Sequence, residues 1–146
     1  MDLSKLKTDS GVLYLSDLSV DFSLLEGDVA QADRAWVKIR RANERDDIKR
    51  AEFCASRTMR YTSPSSPEMT VFEQVSANPV ERAKFETYLT LADCGNLTQG
   101  DTPVFPEMPA VNIPFAVFEI AWNQLDICVA EAIHKAVIAT NPEWNA

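Results

Sequence analysis

The stretch WNQLDICVAEAIHKAVIATNPEW, residues 122–144, decides the fold of this chain. Its apolar side chains recur at steps of three and four residues, which places them on one face of an α-helix. The same spacing extends back to Phe115, and Asn141 followed by Pro142 ends it. We therefore predict one long helix over about 115–140. Its buried stripe comprises Phe118, Trp122, Leu125, Val129, Ile133 and Ala136 or Val137.

A second helix is predicted to begin after Asn43. Asparagine is a favourable N-cap, and the acidic residues that follow it suit the positive end of the helix dipole. We expect this helix to run to about Arg60. Its apolar stripe comprises Ile48, Ala51, Cys54 or Ala55, and Met59.

Two more helices are predicted between these. A short one covers residues 67–75 and starts at a proline. A longer one covers 79–93, because an asparagine cap is followed by proline at the first helical position. Gly95 or Asn96 is expected to close it.

The N-terminal part of the chain favours β-strands. One strand is predicted within residues 12–25, where three apolar residues alternate with polar ones, and the second is WVKIRR, residues 36–41. Consecutive strands pair most simply as an antiparallel hairpin. The alternating apolar residues are Leu18, Val20 and Phe22 in the first strand, and Val37 and Ile39 in the second.

These elements predict an α+β fold in one domain covering residues 1–146. A small N-terminal antiparallel β-hairpin, region 12–42, would pack on a bundle of three to four α-helices, region 43–140. Residues 1–11 are expected to be flexible. Segment 95–114 holds four of the eight prolines and is predicted to be a long loop of the kind that often carries function.

Composition and charge exclude several classes of partner. The net charge of −8 disfavours binding to nucleic acid or to an anionic membrane surface. The odd number of cysteines, three, favours free thiols in a reducing compartment. The N-terminus lacks the apolar core of a signal peptide, and no apolar run approaches the roughly 18 residues of a membrane span. We expect a soluble, intracellular protein.

No set of residues predicts catalysis. The single histidine, His134, lies off the apolar stripe and has no HExxH motif or set of metal ligands around it. We interpret it as a structural, exposed or half-exposed residue. Asp46 and Asp47 are interpreted as capping residues. The four glycines form no phosphate-binding loop. The expectation is therefore a protein with no catalytic residues, metal or cofactor.

A basic segment is the strongest charge feature. Residues 38–60 hold eight basic and four acidic residues, whereas the remainder holds six basic and 18 acidic. Such asymmetry can mark an interaction face, on which Arg45, Lys49 and Arg60 would bind an acidic partner or phosphate. The alternative is a solvated helix face with ion pairs to the acidic remainder.

Three apolar residues are further candidates for partner binding. Phe105 and Met108 lie in the proline-rich loop, where they either grip a partner or pack across the helices. Trp144 lies just beyond the end of the long helix. It either folds back as a cap or remains a free anchor for a partner.

Three segments together resemble a known family: WVKIRRANERDDIKRA (36–51), FETYLTLADCGNLT (85–98) and AWNQLDICVAEAIHKAVIATNPEW (121–144). They resemble the small tail assembly chaperones of long-tailed, siphovirus-type bacteriophages, above all in the Asn-Pro-x-Trp ending of the last helix.

The resemblance implies a non-enzymatic protein that binds the long, helical tape-measure protein during tail assembly. It implies location in the host cell cytoplasm, and it leaves open both absence from the mature virion and a homo-oligomer. The alternatives are a structural virion component, such as a head–tail connector or neck protein, and a small enzyme of unrecognised class.

Overall fold

A computed structural model describes residues 11–55, 57–63, 66–75 and 77–145, with the backbone alone for the two strands between 57 and 75. The predicted α+β fold is confirmed: a small antiparallel sheet lies against a group of helices. The described helices are α1 (Leu15–Leu18), α2 (Val20–Glu26), α3 (Glu44–Cys54), α4 (Pro79–Thr90), α5 (Phe115–Asn123) and α6 (Ile127–Thr140). The described strands are β1 (Leu13–Tyr14), β2 (Trp36–Ile39), β3 (Arg57–Ser63), β4 (Ser66–Val75), β5 (Leu91–Gly95), β6 (Thr98–Gln99) and β7 (Thr102–Pro103).

The predicted N-terminal hairpin is present, but its first strand is shorter and earlier than expected. β1 pairs antiparallel with β2, with Leu13 opposite Val37. The alternating residues at 18–23 were interpreted as a strand, and this is wrong, because they enter α1 and α2. The reason is local: the Ser19 side chain caps α2 by accepting a hydrogen bond from the Phe22 amide at 3.2 Å.

β2 is the central strand of a three-stranded sheet in the order β1–β2–β5. Val37 and Ile39 are fully buried, as their alternation predicts. Trp36 lies opposite Gly95, and its indole ring leaves no room for a Cβ atom there. Gly95 is therefore a sheet residue and does not close a helix.

The helix predicted over 79–93 ends earlier, at Thr90. The next five residues form β5, because pairing with β2 competes with further helix. Asn96 follows with a positive φ of 59°, and its side-chain amide donates to the carbonyl of Arg34 at 2.9 Å. The predicted start is correct, since the Asn78 side chain accepts from the Glu81 amide at 2.8 Å.

Two predicted helical segments are strands instead. α3 ends at Cys54 rather than near Arg60, and the short helix predicted over 67–75 is β4. β3 and β4 form an antiparallel ribbon in which Arg57 faces Val75. The β-branched and aromatic residues of TMRYT and MTVF favour strand over helix. The region predicted as helical, 43–140, is thus interrupted by strands.

The long helix predicted over 115–140 is two helices. α5 ends at Asn123, and Asp126 caps α6 by accepting a hydrogen bond from the Cys128 amide at 2.8 Å. The predicted stripe nevertheless faces inward on both helices. Phe118, Trp122, Ile133, Ala136 and Val137 are buried, and Leu125 and Val129 are half-buried.

An aromatic cluster forms the middle of the core. The Phe118 ring lies 5.3 Å from Phe105, 5.4 Å from Tyr88 and 5.9 Å from Trp122. Phe105 belongs to segment 95–114, which therefore packs across the helices instead of forming an open loop. Of the helices described, none has the length and apolar character that spanning a membrane requires.

Candidate functional site

The residues predicted to bind a partner do not form one surface. Arg45 and Lys49 are exposed on α3, so their predicted role stays a prediction. Phe105 is only 3% exposed and stacks on Phe118, which makes it a core residue. Met108 is half-buried and packs against the same core. Of the two alternatives for Phe105 and Met108, the structure therefore shows packing across the helices.

Trp144 folds back onto α3. It is 3% exposed, and its indole Nε1 donates to Asp47 Oδ1 at 3.1 Å. The Arg50 guanidinium lies 5.4 Å from the centre of its ring, within the range of a cation–π contact. Of the two alternatives for this residue, the structure shows the cap and not the free anchor.

Asn141 completes the attachment of the C-terminal end. It is fully buried, and its Oδ1 accepts from the Ala42 amide at 2.8 Å. Its Nδ2 donates to the Arg40 carbonyl at 3.2 Å, and Arg41 forms an ion pair with Glu143. The Asn-Pro-x-Trp ending therefore joins the end of α6 to the segment before α3.

α3 turns a charged face inward. The predicted stripe is wrong here: Ile48 is 52% exposed and Ala51 is exposed, whereas Asp46 is buried. Asp46 Oδ2 lies 2.6 Å from Arg40 Nη1 and accepts from the Asn43 amide at 2.9 Å. Burial alone would raise the pKa of Asp46, but these hydrogen bonds and the charges of the neighbouring bases hold its pKa below the ordinary value.

Glu86 of α4 is a buried carboxylate between two basic groups. It is 1% exposed, its Oε2 accepts from Arg50 Nε, and its Oε1 lies 2.8 Å from His134 Nε2. Burial alone would raise the pKa of Glu86. The hydrogen bonds from His134 and Arg50 outweigh it, so the pKa lies below its ordinary value. The cluster joins α3, α4 and α6.

Three basic residues of the segment that causes the charge asymmetry form ion pairs within the fold. Arg40, Arg41 and Arg50 pair with Asp46, Glu143 and Glu86, respectively. The alternative of intramolecular ion pairs therefore holds for these three bases. Arg45 and Lys49 have no ion pair with any residue whose side chain the structure describes.

Burial raises the pKa of the Cys94 thiol to about 11, and the Asp93 charge adds to this. Such a thiol is a poor nucleophile at neutral pH. Among the side chains that the structure describes, no three His, Cys, Asp or Glu residues come close enough to hold a metal ion.

An apolar groove lies between α4 and α6. It has a volume of about 360 Å³, and its floor is the buried Trp122. Val80 on α4 and Ile127 on α6 stand at its edges, each 72% exposed. The remaining lining residues are Pro79, Ala83, Ala130, Glu131, His134 and Lys135. We call this feature the α4–α6 groove.

Exposed apolar side chains also occur outside the groove. Val20 and Leu24, one turn apart on α2, are each 77% exposed, and Ile120 on α5 is 63% exposed. The sequence pattern did not identify these surfaces, because an apolar stripe indicates which face of a helix is buried and not which other apolar residues stay exposed. A signal was present: residues 115–138 carry more apolar residues than one stripe can bury.

Comparison with known proteins finds no matching family model, no similar curated protein and no similar solved structure.

Proposed function

We propose that this protein is a non-enzymatic phage tail assembly chaperone that binds the tape-measure protein during tail morphogenesis. The observation that supports the proposal best is the amount of large apolar surface left open by the fold. Val20, Leu24, Val80 and Ile127 are each more than 70% exposed. Such side chains are candidates for contact with an apolar segment of another protein.

The charge of the chain suits such a role. A protein that shields an apolar partner must itself stay in solution, and a net charge of −8 opposes aggregation of its own copies. The tape-measure protein expected from the resemblance is long and helical. An amphipathic helix is the form of partner that an apolar helical surface accommodates best.

The test is co-expression with the long helical protein encoded beside it, followed by affinity capture. We expect the two proteins to purify together and the partner to be more soluble with the chaperone than without it. A variant with serine at Val20, Leu24, Val80 and Ile127 should lose capture. Loss of capture in this variant counts only if circular dichroism and thermal unfolding match those of the wild type.

Two outcomes of that experiment contradict the proposal. One is a wild-type protein that captures no helical protein from its own genome. The other is undiminished capture by the serine variant, which would show that the exposed apolar residues take no part. The reversal Arg45→Glu with Lys49→Glu tests separately whether the basic face of α3 contributes.

A structural virion component, such as a head–tail connector or neck protein, is the second candidate, and the β3–β4 ribbon favours it. β3 and β4 pair with each other, antiparallel, along their described backbone. A two-stranded ribbon alone is only marginally stable, so neighbouring copies in a ring would stabilise it. A stable ring seen by light scattering and electron microscopy of the purified protein would favour this candidate over the chaperone.

A further inference from the structure

From the α4–α6 groove we infer that the partner contact is a single amphipathic helix lying between α4 and α6. Its apolar stripe would be flanked by a base and an acid one turn apart. These would face Glu131 and Lys135. The inference rests on the proposed function and names the binding site and the chemistry of the partner segment.

The two walls of the groove run side by side. Glu86 on α4 contacts His134 on α6 at 2.8 Å, and Val80 and Ile127 line the groove at the beginnings of the two helices. The walls therefore begin at the same end and run in the same direction. Two neighbouring helices with an apolar channel between them accept a third helix along that channel.

The side chains along the walls leave room for a helix. Each wall has a large exposed residue at its start, Val80 or Ile127, and an alanine three residues later, Ala83 or Ala130. The alanines keep the channel wide above the indole ring of Trp122. The groove volume of about 360 Å³ would hold several apolar side chains of the partner stripe.

The charges beside the groove specify the flanks of the partner helix. Glu131 and Lys135 are exposed, lie four residues apart on α6, and form no ion pair with a described side chain. Residues four apart on a helix are separated by about 6 Å along its axis. A partner helix with a base and an acid at the same spacing can therefore pair with both.

A second copy of this chain is a poorer occupant than a different protein. Each copy carries a net charge of −8, so bringing two copies together opposes like charges over the rest of their surfaces. A partner helix with both charge signs beside its stripe carries no such penalty.

The probe is a fluorescently labelled synthetic helix of about 20 residues, long enough to be helical in water when rich in alanine. Its leucines recur every three or four residues, with lysine and glutamate four apart beside the leucine stripe. A second peptide carries the two charges in the opposite order. Fluorescence anisotropy measures both affinities, and we expect saturable binding with a preference for one order.

Ile127→Glu is the decisive variant, with Ile120→Glu as its control. Ile127 is the first residue of α6, where an acidic side chain suits the helix dipole, so the fold should be kept. Ile120 is 63% exposed, and it points away from Trp122 because two residues turn an α-helix by about 200°. We expect Ile127→Glu to weaken binding at least about tenfold, or 1.4 kcal/mol, and the control to bind like the wild type.

The double exchange Glu131→Lys with Lys135→Glu tests the charges. It should reverse which peptide binds more tightly without changing circular dichroism. Equal binding of both peptides by wild type and exchange variant would overturn the assignment of the flanking charges.

Three further results would overturn the groove as the partner site. They are unchanged binding by Ile127→Glu, no binding of either peptide, and a dimer in sedimentation that Ile127→Glu dissolves. The last would make a second copy the occupant. In each case the proposed function fails only if co-expression also contradicts it, through no capture by the wild-type chain or undiminished capture by the serine variant, so the two failures are distinguishable.

Discussion

Helices α3 and α6 begin in the same way and bury opposite kinds of residue. Each follows a side-chain cap, Asn43 for α3 and Asp126 for α6. α6 turns its apolar stripe inward, with Ile133 at 0% exposure. α3 leaves Ile48 52% exposed and buries Asp46 instead.

The difference shows when an apolar pattern decides which face is buried. α6 has apolar residues on most of its surface, so every orientation of the helix buries some of them. The orientation adopted is the one that buries the densest apolar stripe. α3 has few apolar residues. The side chains that pair with opposite charges therefore determine which of its faces is buried. Asp46 meets Arg40, and Arg50 meets Glu86. Hydrogen bonds to charged groups are strong enough to orient a helix when little apolar area competes.

Removing a buried residue of α6 should have the largest effect. Ile133→Ala leaves a cavity in a fully buried position and should lower the free energy of unfolding by about 2–5 kcal/mol. Chemical denaturation measures this, and Ile127→Ala on the same helix, at a 72% exposed position, is the matched control. Equal losses in the two variants would show that α6 has no inward face.

Neutralising the carboxylate that holds α3 should have a smaller effect. Glu86→Gln keeps the shape but replaces charged hydrogen bonds to Arg50 and His134, which should cost about 1.5–3 kcal/mol. Glu52→Gln, an exposed change on α3, is the control and should stay within about 0.5 kcal/mol. A Glu86→Gln variant as stable as the wild type would remove this cluster from the forces that hold α3.

Acid should weaken the charged contacts of α3 before the apolar contacts of α6. The pKa values of Glu86 and Asp46 lie below their ordinary values of 4.5 and 3.8, so their contribution is complete above those values. This contribution to stability is lost as the pH falls through the lowered pKa values that the two carboxyl groups have in the folded state. The free energy of unfolding should therefore decline below about pH 4.5, and less steeply in Glu86→Gln. Identical pH profiles for both proteins would contradict this account.

The smallest effect is expected on the outer face of α3. Ile48→Ala removes atoms that are already half in water, so stability should change by no more than about 0.5 kcal/mol. Thermal unfolding is a sufficient measurement. A loss near that of Ile133→Ala would restore the stripe predicted from the sequence.

Strong local signals made much of the fold predictable. The alternation of Val37 and Ile39, the caps at Asn43 and Asn78, and the stripe through Trp122 each depend on neighbouring residues. The predictions that were wrong concerned elements that depend on distant partners or on a competing local signal. β5 takes residues from a helix because β2 is available to pair, and Ser19 caps a helix where alternation indicated a strand.

The candidate site was less accessible to sequence reasoning. Phe105 and Trp144 were open alternatives, because a lone aromatic residue in a loop or tail packs or protrudes according to contacts far along the chain. The α4–α6 groove needs two helices, separated by 36 residues between Thr90 and Ile127, to lie side by side. A periodic pattern within one helix carries no information on that pairing.

Hydrogen–deuterium exchange of the complex with the captured helical partner tests the central claim most directly. That claim is that α6 builds the core with one face and presents the other to a partner. We predict slower exchange on binding in peptides covering 79–83 and 127–135, with α3 and the sheet unchanged. Protection confined to α3, or no protection in either groove helix, would contradict the claim.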